Sequence, residues 1–149
     1  MNFENFIRKN LVRKWIPDIE LAKSLIIESN RIILVVNGLK LNDTNSSVLM
    51  RECYEAFRQI CEAIAVNKGY KIYSHEAITS FVAEILNEKE IAESFDRYRK
   101  IRNSINYYGM PINIEEVKKA LAEIPKFIEI IKKKYLLNVK NHQSGISKI

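Results

Sequence analysis

Glycine and proline are scarce, with four and three residues in a chain of 149. Folds built from many tight turns need more of both, so long helices are predicted and a many-stranded β fold is disfavoured. Cysteine is rarer still. Cys53 and Cys61 lie eight residues apart inside one helical pattern, too far for a bridge along a single helix. They read as buried thiols in a reducing compartment. Only His75 and His142 could supply imidazole, so the chain carries no metal signature, and no cofactor is expected. No run approaches 18 consecutive apolar residues, and "MNFENFIRKNLVRKW" is too charged for a secretory leader. A soluble, cytoplasmic protein with no membrane partner is expected.

What is present points to one helical domain. Apolar residues make up 47% of the chain, which excludes a disordered polymer. The length allows one real core and not two. A net charge of +6 permits a polyanionic partner without demanding one.

The apolar period is helical throughout. Residues 2–15 read as a short amphipathic helix carrying Phe3, Phe6, Ile7, Leu11 and Trp15, broken by Pro17. Asp18 is a start signal for "IELAKSLIIESNRIILVVNGL", with Gly38 near its end. "KLNDTNSS" is a loop, and Ser46 or Ser47 can cap a helix over about 48–67 with Leu49, Cys53, Ala56, Phe57, Ile60 and Ile64 on its core side. "NKGYKIYS" reads as a turn, with Gly69 as the C-terminal cap. Ser74 caps a fourth helix with Ala77, Ile78, Phe81, Val82 and Ile85 on one face. A fifth runs over about 88–108, closed by Gly109 and Pro111. Asn113 caps a sixth, in which Pro125 should produce a kink. The expectation is an all-α, antiparallel up-and-down bundle of five to six helices over residues 1–137, followed by a polar, loose tail over 138–149.

One stretch breaks the rhythm. In "YRKIRNSINYYG", residues 98–109, Arg102 occupies a position where leucine would be expected. At about 100° per residue, Phe95 falls about 20° to one side of Arg102 and Ile91 about 20° to the other. Arg102 therefore points into the apolar stripe. Asn106 and Arg99 lie on the shoulder of that stripe. A guanidinium in this place must be paired or reach a wet cleft, because an unpaired buried charge costs several kcal/mol. Two arrangements satisfy it: a salt bridge to Glu52, Glu55 or Glu62 of the third helix, or a cleft in which Arg102 forks around an anion.

"RYRKIRNSINYYG" resembles the signature of HEPN domains, small helical-bundle proteins whose motif is an arginine, often followed by asparagine, then a histidine after four to six residues. Arg102 and Asn103 match its opening. "ECYEAFRQICEAIAVNKGYKIYSHEAI" is similar to the central helix, the G-Y-K turn and the next helix start of small archaeal members, so the resemblance spans residues 52–109. It implies a two-fold dimer whose cleft holds the arginine, metal-free cleavage of RNA, and a toxin–antitoxin setting with a nucleotidyltransferase-type antitoxin. In that chemistry the 2′-hydroxyl attacks the neighbouring phosphate, arginine neutralises the oxygens and histidine moves protons.

Here the place of the motif histidine falls on Tyr107, Tyr108 or Gly109, for four, five or six intervening residues. Tyrosine, with an ordinary pKa near 10, is a poor base at neutral pH, though it can donate a hydrogen bond or stack on a base. On a straight helix Tyr107 lies about 140° from Arg102. The resemblance therefore implies binding of RNA or nucleotide phosphates by Arg99, Arg102, Asn103, Asn106, Tyr107 and Tyr108. Cleavage is expected to be weak or lost, with Arg102 and Tyr107 the residues that would carry it. Two alternatives stand beside this reading: an active ribonuclease in which Tyr107 or His75 replaces the histidine, and a non-catalytic helical interaction module.

The remaining signals have plainer readings. His75, in the first turn of a helix, reads as a surface or helix-end residue. Arg97, Arg99, Lys100 and Arg102 read as a solvated helix face, or as one side of a backbone-tracking groove with the tyrosines. Lys132, Lys133 and Lys134 complement a helix C-terminus. The N-terminal segment with Trp15 can cover the bundle or embrace a partner.

Overall fold

A computed structural model describes residues 1–108 and 112–142, with side chains described over 1–105 and 112–139. Among the described residues the chain is mostly helical, with seven helices and two three-residue strands. It opens with α1 (Phe3–Arg8), capped by the Asn2 side chain, which accepts from the Asn5 amide. The expected helix over 2–15 stops here. Asn10 takes a left-handed φ of 59°, and the chain turns into β1 (Val12–Lys14). Asparagine tolerates that conformation where most residues do not.

Asp18 caps α2 (Ile19–Asn37) by accepting from the Leu21 amide, as its position predicts. α3 (Ser46–Asn67) begins after Asn45, not after a capping serine. The Asn45 side chain instead ties the preceding loop, accepting from Asn42 and donating to the Lys40 carbonyl. α3 is the axis of the molecule. All six of its expected core residues are buried, and so are Met50, Tyr54, Cys61, Ala63 and Ala65. α2 packs along one side, where the Ser29 hydroxyl donates to the Ala56 carbonyl at 2.8 Å.

After α3 the expected turn is in fact a strand, β2 (Tyr70–Ile72), reached through Gly69 at φ 89°. β2 pairs antiparallel with β1 in the register Val12↔Ile72, Arg13↔Lys71, Lys14↔Tyr70. Ser74 caps α4 (His75–Ser80), accepting from Ala77. That helix runs into a π-helical turn over Phe81–Ile85, which Asn87 ends with a φ of 58°. Phe81 and Val82 are buried, but Ile85 is turned outward. The Phe3 amide donates to the Glu84 carboxylate and so fastens α1 to this turn.

α5 (Lys89–Tyr108) buries Ile91, Ala92, Phe95 and Tyr98. Gly109 and Pro111, expected to close it, lie outside the described residues. The Asn113 side chain caps α6 (Ile114–Tyr135) by accepting from Glu115. α6 continues through Pro125 and lays Val117, Ala120, Ile124, Ile128 and Ile131 against the core. Residues 138–142, expected to be loose, belong to α7 (Leu137–His142). Val139 is fully buried, and the Asn138 and Asn67 side-chain amides bond reciprocally.

Candidate functional site

Arg102 comes to lie over Tyr54. Its guanidinium carbon stands 5.9 Å from the ring centroid, at the outer edge of cation–π range. Tyr54 is fully buried, with Phe95 5.3 Å away, and Phe95 in turn meets Phe57 edge to face. This aromatic floor fixes the ring while leaving one side to polar groups. Arg102 is half-buried, and its Nη1 donates to the neighbouring Asn103 Oδ1 at 3.1 Å.

Of the two arrangements open to it, the salt bridge to Glu52, Glu55 or Glu62 does not form. Glu55 and Glu62 both pair with Arg58, three and four residues away on their own helix, and Glu52 is exposed. Burial alone would raise the Glu55 carboxyl, but hydrogen bonds and charge from Arg58 hold it below the ordinary carboxylate range. Among the described residues no carboxylate pairs with Arg102.

The other basic residues of the run are not a uniform solvated face. Arg99 is half-buried and donates through Nε and Nη2 to Asp96, at 2.9 and 2.8 Å. Lys100 takes the other oxygen of Asp96, and Arg97 reaches Glu123 on α6. Thr79 donates to Asp96 as well. Among the described residues, Arg102 alone of the four basic residues between 97 and 102 lacks an anionic partner. Arg99, expected to touch phosphate, is already neutralised. Asn106, Tyr107 and Tyr108 continue the backbone of α5, but their side chains lie outside the described residues.

His75 stands at a helix end, one of its two expected places, but not on the open surface. It opens α4, yet its ring turns inward, half-buried, and stacks beside Tyr54 at 5.8 Å between centroids. The Tyr54 hydroxyl lies 2.9 Å from His75 Nδ1. Burial lowers the His75 pKa, and the charges of Arg58, Arg102 and Arg99 lower it further against Glu55. The imidazole is therefore neutral near pH 7. Burial also pushes the Tyr54 phenol above its ordinary range, so it keeps its proton.

That proton needs an acceptor, because an unmade hydrogen bond in a buried place is costly. His75 Nδ1 is the acceptor at hand, which puts the imidazole proton on Nε2. The Tyr54 ring thus has two donor-bearing groups against it, the guanidinium of Arg102 and an imidazole whose remaining proton is on Nε2. Such a set suits an oxyanion. It offers no free imidazole lone pair to act as a base.

A stability prediction follows from His75. The unfolded imidazole takes up its proton near pH 6.5, while the folded one resists until lower pH. Between those points the unfolded chain binds more protons, so stability is complete above about pH 6.5 and falls as the pH drops below it. Urea unfolding at about pH 7.5 and about pH 5.5 should show this loss in wild type and a smaller one in His75→Gln. Equal losses in the two proteins would place the ring in water.

Sequence reasoning found Arg102 and its inward direction but missed Tyr54, which lies inside an apolar stripe. Among the described residues no three His, Cys, Asp or Glu side chains cluster as a metal site, and no helix is long and apolar enough to cross a membrane. Comparison with protein-family models, curated proteins and solved structures gives no match.

Proposed function

We propose that this chain is a HEPN-like, antiparallel helical-bundle protein that binds RNA or nucleotide phosphates at Arg102. In this reading it works as a two-fold dimer in a toxin–antitoxin-type pair with a nucleotidyltransferase-type antitoxin. The observation that carries the reading is the allocation of charge on α5: Arg97, Arg99 and Lys100 are each paired with a carboxylate, while Arg102 is not. A half-buried guanidinium with no counter-ion among the described residues is poised for a phosphate. A dimer brings two such sites into one cleft and covers the mixed face of α5.

Cleavage is expected to be weak, since the neutral His75 donates through Nε2 and cannot take the 2′-hydroxyl proton in that tautomer. The competing reading, an active metal-independent ribonuclease, is favoured by one observation: His75 and Arg102 both stand against Tyr54. Labelled RNA incubated with the purified dimer in chelator separates the two. The expected result is retained binding with few 2′,3′-cyclic phosphate ends. Robust cleavage, abolished in His75→Gln, would establish the ribonuclease instead. Light scattering on the same sample reads the assembly, and a monomer at micromolar concentration would remove the shared cleft.

A further inference from the structure

The two-stranded sheet places a second set of groups on the surface. Strand alternation sends Val12 and Ile72 toward the body of the protein and Arg13, Trp15, Lys71 and Tyr73 to the opposite face. Trp15 and Tyr73 are 57% and 58% exposed. Lys71 Nζ stands 4.7 Å over the Trp15 ring, and the Arg13 guanidinium 5.8 Å over Tyr73. The register sets Arg13 directly opposite Lys71, a like-charge pair that disfavours the sheet. Among the described residues no carboxylate relieves it. Among the described residues Arg8, Lys9, Arg13, Lys14 and Lys71 have no acidic partner, whereas the basic residues of α5 and the C-terminal part of α6 are largely paired.

We infer that this face is a binding platform for single-stranded nucleic acid, with Trp15 and Tyr73 stacking on bases and Arg13 and Lys71 meeting phosphates. Two flat exposed rings, each already under a cation, match a ligand that alternates planar apolar groups with anions. A lipid surface would not need the planarity, and an acidic peptide would not use both rings. Tyr73 lies two residues before His75, so the platform adjoins the Arg102 site along the chain. The inference does not depend on that site binding anything.

Trp15 is the sole tryptophan, so its emission reports this face alone. Titration with an oligouridylate of about 12 nucleotides should quench it saturably, with affinity falling as salt rises. Arg13→Ser combined with Lys71→Ser should weaken binding by roughly tenfold or more. Lys118→Ser combined with Lys119→Ser removes the same charge from the exposed side of α6 and should leave the quenching midpoint within about twofold, which separates a local platform from a general effect of net charge. Trp15→Phe, followed by anisotropy of a labelled oligonucleotide, guards against a folding artefact: a stacking ring is kept, so binding should persist. Wild-type emission that ignores the oligonucleotide would overturn the inference. So would equal responses to polyglutamate or to anionic phospholipid vesicles, which would assign the face to a protein or a membrane.

Discussion

Arg102→Ala is expected to weaken RNA binding by about 1–3 kcal/mol, roughly 5- to 150-fold, while changing unfolding free energy by less than about 1 kcal/mol. The asymmetry follows from the partners of the side chain. Among the described residues Arg102 has one hydrogen bond, to the adjacent Asn103, and a ring at the edge of cation–π range. Removing it strands no carboxylate. Arg58→Ala makes the contrast, since it leaves Glu55 and Glu62 half-buried without their cation. Breaking such a pair is destabilising by several kcal/mol in buried settings, and less here because the pair is partly solvated. Arg102→Lys should recover only part of the affinity, because an ammonium cannot fork around two oxygens. The two readouts are filter binding, with Arg13→Ser and Lys71→Ser present in every preparation so that the sheet face does not retain the RNA, and thermal unfolding of the same preparations. Unchanged affinity together with a large loss of stability would mean that Arg102 is a structural residue.

Gly69→Ala should cost about 2–4 kcal/mol, lowering the unfolding midpoint by roughly 5–15 °C for a chain of this length. Two effects add. The backbone stands at φ 89°, where a Cβ is strained, and that Cβ would meet the Trp15 carbonyl oxygen at 2.5 Å. The obstacle is backbone and cannot rotate away. Gly69 also accepts from the Trp15 amide at 2.7 Å, so any shift opens the sheet at that end. Gly38→Ala is the matched control. Its φ is −83° and its nearest contacts are ordinary, at 3.5 and 3.6 Å, so alanine there should be neutral or slightly stabilising. Calorimetry of the pair decides the matter, and similar melting of both variants would sink the close-approach account.

The helical frame was legible because its signals are local. Asp18, Ser74 and Asn113 cap where their positions predict, and the apolar positions of α3 and α6 fall on the core side. The strands were not legible. Three residues are too few to display alternation, and Val12 finds its partner Ile72 only across the whole of α2 and α3. Leu11 and Trp15 happen to continue the helical spacing of Phe3 and Ile7, which hid the turn at Asn10.

The inward direction of Arg102 came from helix geometry alone. The fate of Glu55 and Glu62 was also local, since Arg58 sits at ideal spacing from both. The orientation of His75 depends on how α4 meets α3, and periodicity carries no information about that. The histidine-equivalent positions Tyr107, Tyr108 and Gly109 bear side chains or backbone outside the described residues.

Cys53 and Cys61 lie about two helical turns apart in the fold's axis, and both are free. Burial pushes the Cys53 thiol up to about 12 and raises that of Cys61 as well. Only the thiolate reacts readily with oxidants and alkylating agents, and burial disfavours it at both positions. The sulfur chemistry of this chain is therefore locked behind its own folding equilibrium. Modification must wait for α3 to be uncovered, and α3 is covered by α2 and α6 together. The two thiols act as a clock inside the protein, silent while it is closed and running only in the moments when the centre opens.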